Sequence, residues 1–443
     1  MEKIVILGNG IAGITAARHI RKRSDHEILV ISGETEHFFS RTALMFIYMG
    51  HMKYENTKPY EDWFWKKNRI QLKQTWIEKV DFEKKQLIPT SGEPISYDKL
   101  ILATGSASNK FGWKGQDLQG VQGLYSYQDL ELMEANTSDV SMAVVLGGGL
   151  IGIEMAEMLH SRGIPVTYII REKHFWDIVL PRENAQMIDE HLAKNHIKLL
   201  TETELEEILD DGNGRVKGIK TKSGETIDCQ FVGLTVGVHP NVGFLKDSDL
   251  EIDRGILVDQ YLKTNIDDVY AVGDCVQLKQ PLDHRRPIEA VWYAGRMMGE
   301  TVAQTLTGNP TSYKPGIWFN SAKFFDIEYQ TYGLVAGQLR EEESYFYWQH
   351  ESEEKSIYIT FHKDTKTAIG VNLFGIRQRH EVWDKWLSAG KTLGYVMEHL
   401  AEANFDPEFF SRYESDIQNT YNKQFPDQPV VLRKKGFLKK IFG

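Results

Sequence analysis

Cysteine is nearly absent from this chain: 443 residues carry only two, Cys229 and Cys275. That excludes a disulfide framework, a cysteine-rich zinc module and a cysteine-ligated iron–sulfur cluster. The histidines are not clustered, so no metal site is expected. No apolar run approaches the roughly 18 residues a membrane helix needs. Positive charge is also short: 52 Lys and Arg stand against 62 Asp and Glu, a net charge of −10. Such a chain lacks the basic surface that displaces counterions from nucleic acid, so nucleic-acid binding is not expected. What is present is ordinary globular material, 41% hydrophobic and 26% charged, long enough for two or three domains. The start, Met1-Glu2-Lys3 and then Ile4-Val5-Ile6-Leu7, faintly imitates a signal peptide, but glycines and an asparagine interrupt it. A cytoplasmic protein is expected.

Those glycines have a better explanation. An apolar, β-branched run from Lys3 to Leu7 leads into Gly8-Asn9-Gly10-Ile11-Ala12-Gly13, followed by apolar residues at helical spacing. Glu27 to Ser32 looks like the next strand, and Glu34 lies 21 positions beyond Gly13. This is the strand, glycine turn, helix, strand, acid order of a dinucleotide-binding unit. The order recurs. Met142 to Leu146 leads into Gly147-Gly148-Gly149-Leu150-Ile151-Gly152, a helical stretch, and a strand over 166–170. One glycine triplet would be weak evidence; two in matching contexts are strong. The alternative is a pair of tight turns in unrelated α/β domains.

Two more segments, Tyr97-Asp98-Lys99-Leu100-Ile101-Leu102-Ala103-Thr104-Gly105-Ser106 and Asp268-Val269-Tyr270-Ala271-Val272-Gly273-Asp274-Cys275, complete a set of four ordered motifs. Together they resemble the FAD-dependent pyridine nucleotide–disulfide oxidoreductase superfamily over roughly residues 1–310. Phe39-Ser40-Arg41-Thr42-Ala43-Leu44 resembles its rubredoxin reductase and nitrite reductase large-subunit branch. The resemblance implies an α/β fold with two doubly wound dinucleotide-binding domains. FAD would take residues 1–112 and 250–312, NAD(P)H would take 113–249, and 313–443 would form an α+β domain with an antiparallel meander.

Roles carry over as what the resemblance implies. Gly8, Gly10, Ile11, Ala12 and Gly13 would cradle the FAD diphosphate and Glu34 its ribose, with Arg41 a basic contact and Ile77 on the adenine side. Ala103, Thr104 and Gly105 close the first unit, and Gly237 belongs with the second. Gly273 and Asp274 would meet the ribityl chain. Glu289, Ala290 and Val291 would start a helix facing the flavin pyrimidine. Gly147, Gly149, Ile151 and Gly152 would hold the nicotinamide cofactor, with Glu154 near the nicotinamide as the catalytic candidate. Each has a plainer alternative: Arg41 a surface arginine, Ile77 core, Glu154 and Glu157 solvated helix positions.

The chemistry turns on what is missing. Disulfide-reducing relatives need a cysteine pair over the flavin, and others use one cysteine there. Here 40–48 reads Ser-Arg-Thr-Ala-Leu-Met-Phe-Ile-Tyr, and a thioether cannot replace a thiolate. Cys229 reads as core and Cys275 as packing. The 42–46 stretch also lacks a lysine that several relatives keep near the flavin. Reduced flavin must then pass electrons directly to an acceptor. The leading expectation is a small acidic redox protein such as rubredoxin or ferredoxin; the alternatives are a quinone at a membrane surface, or a flavin-bound sensor with little turnover. Arg171 after the second unit's strand favours NADPH, while the adjacent Glu172 favours NADH.

From about residue 314 three strands are expected, over 344–349, 356–362 and 367–374, then helices around 381–389 and 392–403. The superfamily uses such a domain for homodimer formation or for covering the flavin. The aromatic run 318–325 reads as a core strand or as packing near the flavin edge. An acceptor surface is expected at Lys66, Lys67, Arg69 and Lys73 among Trp63, Phe64 and Trp65, plus Arg285 and Arg286. The last residues, 433–443, place Phe437, Leu438, Ile441 and Phe442 on one helical face and basic residues on the other, which would suit peripheral membrane contact, a frayed tail, or a tail docked on its own protein.

Overall fold

A computed structural model describes residues 1–281, 285–405 and 411–433. The chain divides into two compact units, one formed by Met1–Arg171 and Glu202–Pro315, the other by Glu172–Thr201 and Gly316–Gly443.

The first unit holds both glycine motifs. Strand Lys3–Leu7 is buried from Ile4 onward, as a strand covered on both faces must be. It pairs in parallel with Glu27–Ser32 and Lys99–Leu102; Val269–Ala271 and Ile70–Gln74 complete a five-stranded parallel sheet. A second parallel set runs Val121–Gln122, Phe231–Leu234, Ala143–Leu146, Val166–Ile169. The first sheet thus draws on both ends of a segment that the second sheet interrupts. Small antiparallel sheets, 77–96 and 205–228, flank them. Helix Ile11–Arg23 ends in Arg21, Lys22 and Arg23, charges that suit the negative end of its dipole. It lies close to helix Trp292–Leu306: a Cβ on Gly299 would fall 2.5 Å from the Ala12 carbonyl oxygen.

The second unit is built on a five-stranded antiparallel sheet ordered Phe319–Phe324, Ile327–Gly333, Ala368–Phe374, Ser356–His362, Glu343–Gln349. The expected three-strand meander makes up three of its five strands. The aromatic run 318–325 supplies an edge strand, with Phe324 fully buried. Helices His380–Ser388, Leu393–His399 and Glu414–Gln424 accompany it, and Trp383, Trp386 and Val396 pack into the same core as Phe346, Ile357 and Leu373. The third helix carries no strong sequence signal.

Residues 172–201 group with this second unit rather than with the nicotinamide domain expected over 113–249. The reason lies in helix Arg182–Lys194, whose buried face meets the antiparallel sheet. Asn184 donates to the Ser356 hydroxyl at 3.2 Å, the Tyr345 hydroxyl donates to Glu183 at 2.8 Å, and His191 pairs with Asp326 at 2.8 Å.

Candidate functional site

The two glycine turns have nearly the same construction. Gly8 has φ +118° and Gly147 φ +114°, and a Cβ would strike the carbonyl oxygen of Ala103 at 2.0 Å or of Thr235 at 2.4 Å. Only glycine meets both demands. A Cβ on Gly13 would lie 2.1 Å from the Gly8 carbonyl oxygen, and one on Gly152 would lie 2.4 Å from that of Gly147. A Cβ on Gly10 or Gly149 would meet nothing within 4 Å. Those two glycines cap the helices Ile11–Arg23 and Leu150–Ser161, neither of which has a side-chain cap or an acid in its first turn. Each helix start therefore presents unsatisfied amides and a positive dipole end to a face that only a hydrogen atom lines, which fits a diphosphate.

Around the first turn the expected residues converge. Ala103 donates its amide to the Leu7 carbonyl, Gly273 packs on Ala12, and Gly295 on Ile11 and Ala12. Thr104 donates its hydroxyl to the Asn241 carbonyl at 2.8 Å, and Gly105 has φ +69°. Asp274 is half-buried, with Oδ2 accepting from the Tyr125 hydroxyl at 3.1 Å and the Ser106 hydroxyl at 3.4 Å. Burial pushes its carboxyl above the usual range, against those hydrogen bonds and the Arg41 charge.

Arg41 is no loose surface arginine. Its guanidinium forms a two-pronged ion pair with Glu34, at 2.8 and 2.6 Å, and also donates to the Tyr125 carbonyl at 2.5 Å. Glu34 further accepts the Tyr127 amide at 2.7 Å. Ile77 is half-buried and packs against the first core. Exposed Trp76 lies against Gly33, beside Glu34: a Cβ there would fall 2.3 Å from its ring. No motif marked Trp76 or Tyr125; each is brought to the site by tertiary pairing.

The segment Glu289, Ala290, Val291 differs from expectation. The helix begins at Trp292, and Val291 is its extended N-cap. Glu289 is buried against Arg285, whose Nη2 lies 2.8 Å from Oε2; the two side chains are 2% and 7% exposed. Arg285 is thereby withdrawn from the acceptor surface, whereas Arg286 is exposed. Of the other surface candidates, Lys66, Lys67 and Lys73 are exposed, and Lys67 sits over the ring of Trp63, itself 60% exposed. Arg69 pairs with Asp25 at 2.5 Å, and Trp65 is core, because alternate faces of the short helix Asp62–Lys67 point inward.

Around the second glycine turn Ile151 and Glu154 are half-buried on the first turns after Gly149, and Gly237 follows strand Phe231–Leu234 with φ +90°. Glu157 is buried rather than solvated. Arg171 is exposed just past strand Val166–Ile169. Both cysteines are free and buried. Burial pushes the Cys229 thiol up to about 12 and raises Cys275 as well, and the Cys275 thiol donates to the Val272 carbonyl at 3.4 Å. Neither has thiolate character at neutral pH. The basic tail 434–443 lies outside the described residues, and among those residues no helix is long and apolar enough to cross a membrane.

Comparison with known proteins adds the following. A family model described as pyridine nucleotide-disulphide oxidoreductase matches residues 2–299. The nitrite reductase [NAD(P)H] of Bacillus subtilis is 32% identical over 281 residues, covering 62% of this chain and 34% of that protein. The NADH-rubredoxin oxidoreductase of Clostridium acetobutylicum is 30% identical over 276 residues, covering 62% of this chain and 68% of that one. The chain thus spans only about a third of the nitrite reductase it matches. A ferredoxin reductase structure from Rhodopseudomonas palustris superposes with a TM-score of 0.78 at 22% identity, covering 95% of this chain and 99% of that one.

Proposed function

We propose, for a chain that belongs to the pyridine nucleotide-disulphide oxidoreductase family, that it oxidises NAD(P)H through bound FAD and passes the electrons directly to a small redox protein. The carrying observation is the pairing of two matched diphosphate cradles with two buried cysteines of raised pKa. The fold has places for both dinucleotides and no thiol to stand between them and an acceptor. Flavin, when bound, supplies the chemistry of taking a hydride and releasing electrons singly or in pairs.

The chain's own residues do the rest. Gly8, Gly10 and Gly13 admit the FAD diphosphate to the start of helix Ile11–Arg23, with Asp274, Arg41 and Glu34 as the polar contacts. Gly147, Gly149 and Gly152 do the same for the nicotinamide dinucleotide, and Glu154, on the turns that follow, would face its reactive end. Exposed Arg171 supports NADPH through a charge-assisted bond to the 2′-phosphate; Glu172 and the relative named for NADH point the other way. Lys66, Lys67 and Lys73 with Trp63 would meet an acidic partner on an otherwise acidic protein. The relative named for rubredoxin supports a partner of that kind.

Anaerobic stopped-flow tests this. Either nucleotide should bleach the flavin, NADPH faster, and a rubredoxin or ferredoxin should restore its absorbance with a rate that falls as salt rises. A flavin that neither nucleotide reduces would make the chain a sensor. Restoration by a quinone but by no redox protein would overturn the acceptor assignment.

A further inference from the structure

We propose that Tyr125 is a positioning residue for the flavin site: its hydroxyl fixes Asp274, while its ring and carbonyl fix Arg41. This rests on the assignment of the first glycine turn to FAD. Three parts of one residue reach the two charged groups. The hydroxyl donates to Asp274 Oδ2 at 3.1 Å and accepts the Ser106 amide at 3.0 Å. The ring lies under the Arg41 guanidinium, 4.6 Å from its centroid, and the carbonyl accepts from Arg41 at 2.5 Å.

The backbone is built to hold this placement. The Tyr125 amide donates to Asp129 at 2.9 Å, and Asp129 forms a capping box with Ser126 at the start of helix Tyr127–Thr137. Two residues on, the Tyr127 amide donates to Glu34, the partner of Arg41. Across the site a Cβ on Gly105 would fall 3.0 Å from the Tyr125 hydroxyl, so glycine there leaves the hydroxyl its place. Any buried tyrosine hydroxyl needs a partner; here the partner is Asp274, and the ring and carbonyl of the same residue engage Arg41.

The consequence is directional. Both hydrogen bonds received by Asp274 fall on Oδ2, which leaves Oδ1 for a hydroxyl of the cofactor. Asp274 faces the Arg41 cation, itself paired with Glu34, the Tyr125 and Ser106 hydroxyls, and the neighbouring Cys275 thiol. The Tyr125 hydroxyl favours the ionised carboxylate; without it, the already raised carboxyl rises further.

The test is FAD affinity of the apoprotein, read by quenching of FAD fluorescence from about pH 5 to pH 8 across the range where a raised carboxyl titrates. Tyr125→Phe should weaken binding about tenfold, the loss of one hydrogen bond to a charged group, and move the acidic fall-off in affinity to higher pH. Ser106→Ala removes the longer contact and should shift the fall-off less, in the same direction. Affinity within twofold of the natural chain with an unmoved fall-off in Tyr125→Phe overturns the inference, as does an unmoved fall-off in Ser106→Ala should the first variant not fold. Failure of the natural chain to bind FAD at all would instead overturn the flavin assignment beneath it.

Discussion

The two nucleotide-binding units are alike in their glycine turns and unlike beyond them. Gly8 and Gly147 share a positive φ within a few degrees, Gly13 and Gly152 press on equivalent carbonyls, and Gly10 and Gly149 are equally open. The strand ends differ. The first leads to Glu34, bound to Arg41 and to the Tyr127 amide in a part-buried cluster; the second leads to Arg171, exposed on the surface. A cluster that holds its ligand groups in place suits a cofactor that stays bound, and an exposed end suits a nucleotide that exchanges each turnover. The shared turn geometry suits the same diphosphate chemistry, and the strand ends are where the proposed roles divide.

The largest expected effect tests the likeness. Gly13→Ala and Gly152→Ala each force a Cβ to within 2.1 or 2.4 Å of a backbone oxygen. Overpacking against backbone should cost about 3 kcal/mol in either unit, read from denaturant unfolding. The functional outcomes should then part: Gly13→Ala loses the flavin, whereas Gly152→Ala keeps it but is no longer reduced by NAD(P)H. Loss of flavin from both would break the division of labour. Gly10→Ala and Gly149→Ala, with open space around the new methyl, should change stability by less than about 1 kcal/mol while weakening the same two cofactors.

The second effect sharpens the difference at the strand ends. Arg171→Ala should raise the NADPH dissociation constant by roughly 10- to 100-fold through loss of a charge-assisted bond, with NADH unchanged. Equal losses would move Arg171 out of the 2′-phosphate site.

Much of this was legible in the sequence because it depends on local backbone. Gly8, Gly13, Gly147 and Gly152 are required by their own turns, and the strands leading into them are apolar from Ile4 to Leu7 and from Ala143 to Leu146. What escaped depends on distant pairing. Tyr125 meets residues 84 and 149 positions away. Arg285 looked like surface until Glu289 buried it. Helix Arg182–Lys194 has a strong apolar face but nothing in its sequence says which sheet that face will cover. Trp65 and Trp63 stand two residues apart on one short helix, one core and one exposed.

The smallest effect concerns the proposed acceptor surface. Lys66→Glu with Lys67→Glu should slow acceptor reduction several-fold at low salt, because exposed charges steer encounter more than they hold a complex. Hydride transfer to the flavin should not change. A rate independent of salt in the natural chain would remove the patch from the docking surface.

The absence of a thiol relay is tested most directly by counting reducing equivalents. In an anaerobic titration of the FAD-loaded protein, complete bleaching of the flavin should need about one equivalent of NAD(P)H, the two electrons a flavin accepts. Replacement of the buried Cys229 by alanine should leave that count unchanged. A requirement for about two equivalents, falling to one in a cysteine variant, would mean that sulfur also takes electrons and would contradict direct transfer.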